Sequence, residues 1–186
     1  MEKIKYLSQG ELKKLLEYVK KRNFRDFLIL FLSYRHGLRA SEVQKLKIEN
    51  IDFERRKIFI HRLKHGFSGE HPLGDDEVRY LKKYLKGKDK EGVLFMSRNK
   101  KPISRFTLDK MFKKYCEEVG IPKDKRHFHT LRHSIAVHMI EAGIDVRIVQ
   151  DFLGHRDIRS TTIYTHITNV ARTEAYYSGL SSGRII

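Results

Sequence analysis

Residues 129–166 read HTLRHSIAVHMIEAGIDVRIVQDFLGHRDIRSTTIYTH, and the rest of the chain is best understood from them. Their apolar residues recur at helical spacing, with glycines where helices stop and Asp or Ser where helices start. The spacing predicts a helix over about 130–143, a shorter one capped by Asp145 and ended by Gly154, and a third capped by Ser160. His129, Arg132, His155 and an exposed-looking tyrosine, Tyr164, thereby fall at or near helix ends. Arg132 lies one turn after His129, so the two side chains share a face and can converge on one group. Arginines with histidines favour an anion, and a tyrosine beside them can act as an oxygen nucleophile.

The same stretch admits a metal reading, because His129 and His133 are four apart on one helix. That reading needs a third ligand, no carboxylate accompanies the pair within a turn, and Arg132 between them repels a cation. A phosphate site is preferred. A serine nucleophile lacks its Gly-x-Ser-x-Gly turn, and Cys116, the single cysteine, falls on a helix patterned for the core.

Upstream, Ser8 and Glu11 form a capping box for a helix running to about Lys21, with Leu12, Leu15, Leu16 and Val19 on one face. Asn23 caps the next helix, whose run 27–32 is apolar on every side and belongs at the centre of the domain. Gly37 stops it and leaves Arg39 at the junction with a short helix opened by residues 41–44. From Ile51 the period becomes two, so 51–53, a charged turn at 54–57, and Ile58 with Ile60 read as a hairpin, with a third strand around 70–73. Lys64 lies between the second and third strands, where a long side chain can reach a ligand, and Lys57 and Arg62 are close by. Asp75 or Asp76 starts another helix, residues 93–96 read as a short strand, and Ser104 opens a helix that Gly120 and Pro122 stop. The expected architecture is mainly α with a small antiparallel β-sheet (α+β), a single domain over 1–186.

Composition narrows the partners. Lysine and arginine outnumber acids 39 to 23, giving a net charge of +16 and a pI of about 9.9, which favours a polyanion. Nucleic acid is preferred over membrane, because the run 27–32 is far too short to span a bilayer and no separate basic amphipathic segment is present. The first five residues lack an apolar signal core and one cysteine excludes an internal disulfide, so a cytoplasmic location is expected.

Four pieces, GLRASE at 37–42, HTLRH at 129–133, LGH at 153–155 and the segment around Tyr164, together resemble the tyrosine recombinase (phage integrase) family. The likeness covers nearly the whole chain, from Leu7 to about His166. Within the family, RLKHGFSGEHPL at 62–73 and QDFLGHRDIRSTTIYTH at 150–166 look most like the small recombinases that invert fimbrial promoter switches.

The resemblance implies the family's catalytic-domain fold and an active site of Arg39, Lys64, His129, Arg132, His155 and Tyr164. Tyr164 would attack a DNA phosphodiester, leaving a 3′-phosphotyrosyl link and a free 5′-hydroxyl. Arg39 and Arg132 would clamp the non-bridging oxygens, His129 would assist proton transfer from the tyrosine, His155 would hydrogen-bond the phosphate, and Lys64 would protonate the leaving 5′-oxygen, with His133 a supporting neighbour. It implies no cofactor and no metal. The partners implied are double-stranded DNA, a homo-tetramer on paired DNA sites, and accessory DNA-binding proteins. The tail of about 168–186, with Val170, Ala171, Ala175 and Leu180 as a weak apolar face, is expected to dock on a neighbouring protomer. Larger members carry an N-terminal DNA-clamping (core-binding) domain that is not expected here, which makes the chain either a fragment or a minimal recombinase. Two other functions use the same residues or fold: a type IB topoisomerase-like relaxing activity, and a non-catalytic DNA-binding regulator.

Overall fold

The structure, a computed structural model, describes residues 4–63, 66–88, 91–97, 99–165 and 177, so Lys64 and the tail at 168–186, apart from Tyr177, lie outside the described residues. Helix α1 (Gln9–Arg22) begins with the expected capping box: Ser8 Oγ accepts from the Glu11 N–H at 3.2 Å while Glu11 Oε2 accepts from the Ser8 N–H at 2.7 Å. Helix α2 (Phe24–Arg35) is capped by Asn23, whose side-chain oxygen accepts from the Asp26 N–H at 3.0 Å. The short α3 (Ala40–Lys45) leads into a sheet of β1 (Ile51–Asp52), β2 (Lys57–Ile60) and β3 (Gly69–Pro72). Five further helices follow: α4 (Asp75–Leu85), α5 (Arg105–Glu118), α6 (Thr130–Glu141), α7 (Val146–Leu153) and α8 (Arg159–Thr165).

Both strand pairs are antiparallel, in the order β1-β2-β3, with Ile51 opposite Ile58 and Phe59 opposite Glu70. Ile58 and Ile60 point into the core, as a period of two requires, and Lys57 and Phe59 point away from it. The apolar centre of α2 is buried as its composition dictates, because α1, α4 and α6 all pack on it. Leu28, Ile29, Leu30 and Leu32 are wholly inaccessible, and each contributes about 1.5–3 kcal/mol by leaving water.

The buried apolar residues form two clusters. The larger joins α1, α2, the sheet, α4 and α5, with Leu15, Leu30, Ile58, Leu81 and Phe112 among its members. The smaller lies where α6, α7 and α8 meet and contains Ala136, Val137, Val149, Leu153 and Tyr164. Helix α6 serves both, placing Leu131 in the first and Ala136 in the second.

Two local expectations are corrected. Residues 93–96 form no strand; single bridges pair Val93 with Lys47 and Met96 with Pro102, since Leu94 and Phe95 are both buried and bond to different partners, Leu46 O and the Ile103 N–H. Ser160 does not cap α8. It lies inside the helix, and Asp157 Oδ1 takes the Arg159 N–H at 2.9 Å instead. Among the described residues no helix is long and apolar enough to cross a membrane.

Candidate active site

The site is assembled at helix ends. Helix α2 stops at Gly37, whose φ of +58° suits glycine and where a Cβ would lie 2.7 Å from Leu153 Cδ2. Two residues on, Arg39 opens α3, and Glu42 fixes it twice: Oε2 accepts the Arg39 backbone N–H at 2.9 Å and Oε1 accepts Arg39 Nη1 at 2.7 Å. Arg132, in the first turn of α6, is 1% exposed; Nη1 donates to Gly37 O at 2.6 Å and Nη2 to Leu153 O at 2.7 Å. Its Nη1 also stands 4.0 Å from Glu42 Oε2. Arg132 thus stitches the residue before Leu38-Arg39 to the residue before Gly154-His155. Gly154 ends α7 with φ +66°, and a Cβ there would meet Phe67 O at 2.6 Å. The turn directs His155 back onto the site, where its Nδ1 lies 2.9 Å from Thr161 Oγ1.

Tyr164 is in the last turn of α8, and it is not exposed. Thr161 and Tyr164, one turn apart, are both buried, because this face of α8 packs on α6 and α7. The Tyr164 ring is 2% accessible and its hydroxyl lies 2.9 Å from His133 Nδ1. His129 stands edge-on to the His133 ring, with 4.5 Å between their centroids. The imidazole in contact with the phenol is therefore His133. The Tyr34 hydroxyl, by comparison, lies 2.9 Å from His138 Nδ1.

The electrostatics follow from burying positive charge. Burial works to raise the Glu42 carboxyl, but Arg62, the Arg39 N–H and Arg132 outweigh it and hold the group below the ordinary carboxylate range. Burial and the charges of Arg39 and Arg62 bring Arg132 down to about 9, so it keeps its proton at neutral pH. Burial pushes the Tyr164 phenol up while Arg132 and Arg39 pull it back, leaving it protonated. Burial and then Arg132 push His133 down to about 4; burial and then Arg132, Arg39 and Arg62 push His155 down to about 3. His129, although exposed, is pushed down to about 3 by burial and then by His133, Arg132 and Arg39. Neutral imidazoles can accept a proton, and the site's cationic charge rests on its arginines.

Lys64 lies outside the described residues, but the two basic residues nearest it in sequence are occupied. Lys57 pairs with Glu70 at 2.5 Å, and Arg62 is buried against Glu42 at 2.9 Å. Sequence reasoning missed the roles of Glu42 and Arg62. Glu42 was visible within GLRASE, yet only the fold brings it to Arg62 and Arg132. Among the described residues no group of three or more His, Cys, Asp or Glu side chains is placed to hold a metal ion. Beside the site a cleft of about 850 Å³ runs between Arg39 with Ser41, the start of α5 at Arg105 and Phe106, and His127 with His129. Arg39, Arg105 and His129 are among its lining residues, which favours an anion there.

Known proteins resemble this chain in sequence and in fold. The chain is 40% identical over 168 residues to the tyrosine recombinase XerA of Pyrococcus furiosus, covering 88% of the chain and 58% of that protein. It is 36% identical over 180 residues to the type 1 fimbriae regulatory protein FimE of Escherichia coli K12, covering 92% of the chain and 90% of that protein. It superimposes with a TM-score of 0.79 on the XerH site-specific recombinase bound to its palindromic difH substrate, at 25% identity over 94% of the chain and 53% of XerH. The phage integrase family profile matches residues 5–170, and the chain belongs to that family.

Proposed function

We propose that the chain is the catalytic domain of a site-specific recombinase that cuts and rejoins double-stranded DNA through Tyr164. One observation carries the proposal: helix α6 presents both Arg132 and His133, whose Nδ1 lies 2.9 Å from the Tyr164 hydroxyl on α8, so the phosphate binder and the partner of the nucleophile share one rigid element. Tyr164 Oη attacks phosphorus and the bond to the 5′-oxygen breaks, which leaves a 3′-phosphotyrosyl link and a 5′-hydroxyl. The phenol proton passes to the neutral imidazoles of this region, His133 in contact and His129 behind it. Arg39 and Arg132 stabilise charge on the non-bridging oxygens, His155 hydrogen-bonds one of them, and Lys64 supplies the proton to the leaving 5′-oxygen. Attack by a 5′-hydroxyl reverses the step with no other energy source.

Relatives named as recombinases support exchange of strands over simple relaxation, and the filled set of reactive groups supports an enzyme over a regulator. The XerH complex supports DNA as the partner. Exchange needs two duplexes, hence a homo-tetramer on paired sites, with the tail at 168–186 bridging protomers and accessory DNA-binding proteins assisting. We place this activity in the cytoplasm.

The test is Tyr164→Phe with a nicked, end-labelled duplex carrying the target site. The variant is expected to bind DNA and to form no denaturant-resistant adduct, since only the hydroxyl is lost. An adduct formed by the variant would move the nucleophile to another residue.

A further inference from the structure

Arg62 is 7% exposed and takes no part in the chemistry above, yet both terminal nitrogens of its guanidinium are engaged. Nη1 donates to Glu42 Oε2 at 2.9 Å and to Gly37 O at 3.3 Å; Nη2 donates to His36 O at 2.9 Å and to Phe152 O at 2.7 Å. These acceptors lie on the end of α2, on α3 and on the end of α7, the three segments that lead to Arg39 and His155. Two of them are shared: Arg132 also donates to Gly37 O, and Glu42 holds Arg39 through its other oxygen.

Three guanidinium groups therefore surround one carboxylate. Burying such an ion cluster costs more than burying an apolar side chain of the same volume, so stability alone gives no reason to place an arginine at 62. Its fork does what an apolar group cannot: it sets the spacing of a carboxylate and three carbonyls at once. The excess positive charge is left for an anion to complete.

We propose that Arg62 is a positioning residue for phosphate recognition, holding Glu42 and the carbonyls at 36, 37 and 152 where Arg39 and Arg132 can address the scissile phosphate. The inference rests on the proposed function. A shift of about 1 Å in groups that orient a reactant costs on the order of 10²-fold in rate.

The test follows adduct formation by wild type, Arg62→Met, Arg62→Lys and Arg132→Ala on three duplexes. One is ordinary, one carries a methylphosphonate and so lacks a charged non-bridging oxygen, and one has sulfur as the bridging 5′ atom, which leaves without a proton. Thermal melting identifies the variants that fold. Arg62→Lys keeps the ion pair with Glu42 but cannot span the carbonyls, so it serves if Arg62→Met does not fold. A folded Arg62 variant is expected to lose roughly 10²-fold on ordinary DNA, to recover on the methylphosphonate as Arg132→Ala does, and not to recover with sulfur. Equal loss on all three substrates, or failure of both variants to fold, overturns the proposal in favour of a purely structural role. Relief by sulfur alone overturns it in favour of a role in placing Lys64, and a wild-type rate for Arg62→Lys overturns it outright. A wild-type chain that forms no adduct on any duplex removes the proposed function and this inference with it.

Discussion

Around Leu30 the molecule is held by apolar contact on every side, with α1, α4 and α6 packed on α2 and the helix starts closed by Ser8 and Asn23. Around Tyr164 it is held differently. The apolar cluster there is small, and its border with the rest of the protein includes Arg132 and Arg62 reaching backbone carbonyls at 36, 37, 152 and 153. Apolar burial is non-directional and tolerates repacking, whereas bonds from a planar guanidinium to fixed carbonyls set distances. The first region therefore supplies stability and the second supplies geometry.

Truncating matched leucines puts that contrast at risk. Leu30→Ala is expected to cost about 4–5 kcal/mol, near the top of the range for buried leucine, because a site packed on all sides cannot collapse onto the cavity. Leu153→Ala, in the small cluster, is expected to cost about 2–3 kcal/mol, because fewer rigid neighbours surround the void. Urea unfolding of both variants decides the matter, and equal or reversed costs would break the comparison.

The geometric side is probed by Arg132→Ala, which leaves both clusters their apolar side chains. Its rate of adduct formation is expected to fall roughly 10²–10³-fold, the usual cost of losing a preorganised donor to developing charge. A folded variant that reacted at the wild-type rate would deny Arg132 its place at the phosphate.

Acidification separates the regions more gently, through His71. Its ring packs on Phe152 at 4.4 Å between centroids, and burial, then His36, Arg62 and Arg132, push it from 6.5 down to about 3. In the unfolded chain His71 takes up a proton near 6.5, while in the folded protein it stays neutral until far lower pH. Stability is thus complete above about 6.5 and lost as the pH falls below it, by at most about 1.4 kcal/mol per pH unit from this residue. Thermal melts between pH 7 and pH 5 are expected to fall more steeply for wild type than for His71→Phe, which keeps the ring and removes the titration. Parallel slopes would assign the acid sensitivity elsewhere.

The contrast also explains what could be read from the sequence. Ser8, Asn23, Ser104 and Asp145 each cap the helix expected of them, because capping is a bond between neighbours a few residues apart. The apolar run in α2 announces its own burial. By contrast, Arg62 meets Glu42 across 20 residues of sequence and Phe152 across 90, so no local period encodes either contact. The exposed look of Tyr164 misled for the same reason, since a helix of seven residues is too short to show which face it buries. The neighbours His36, His71 and Glu77, with His36 Nε2 2.8 Å from Glu77 Oε1, also escaped notice, their three segments being joined only in the fold.

The burial of Tyr164 has a mechanical meaning. A hook on a surface loop lets its load swivel, but a ring buried in one cluster with Ala136, Val149 and Leu153 works as a key seated in its slot. A DNA strand joined to it would transmit twist straight into α6, α7 and α8. On α6 that torque would arrive at His133, the residue after Arg132, so the proposed grip on the phosphate and the load on the joint would rise and fall together.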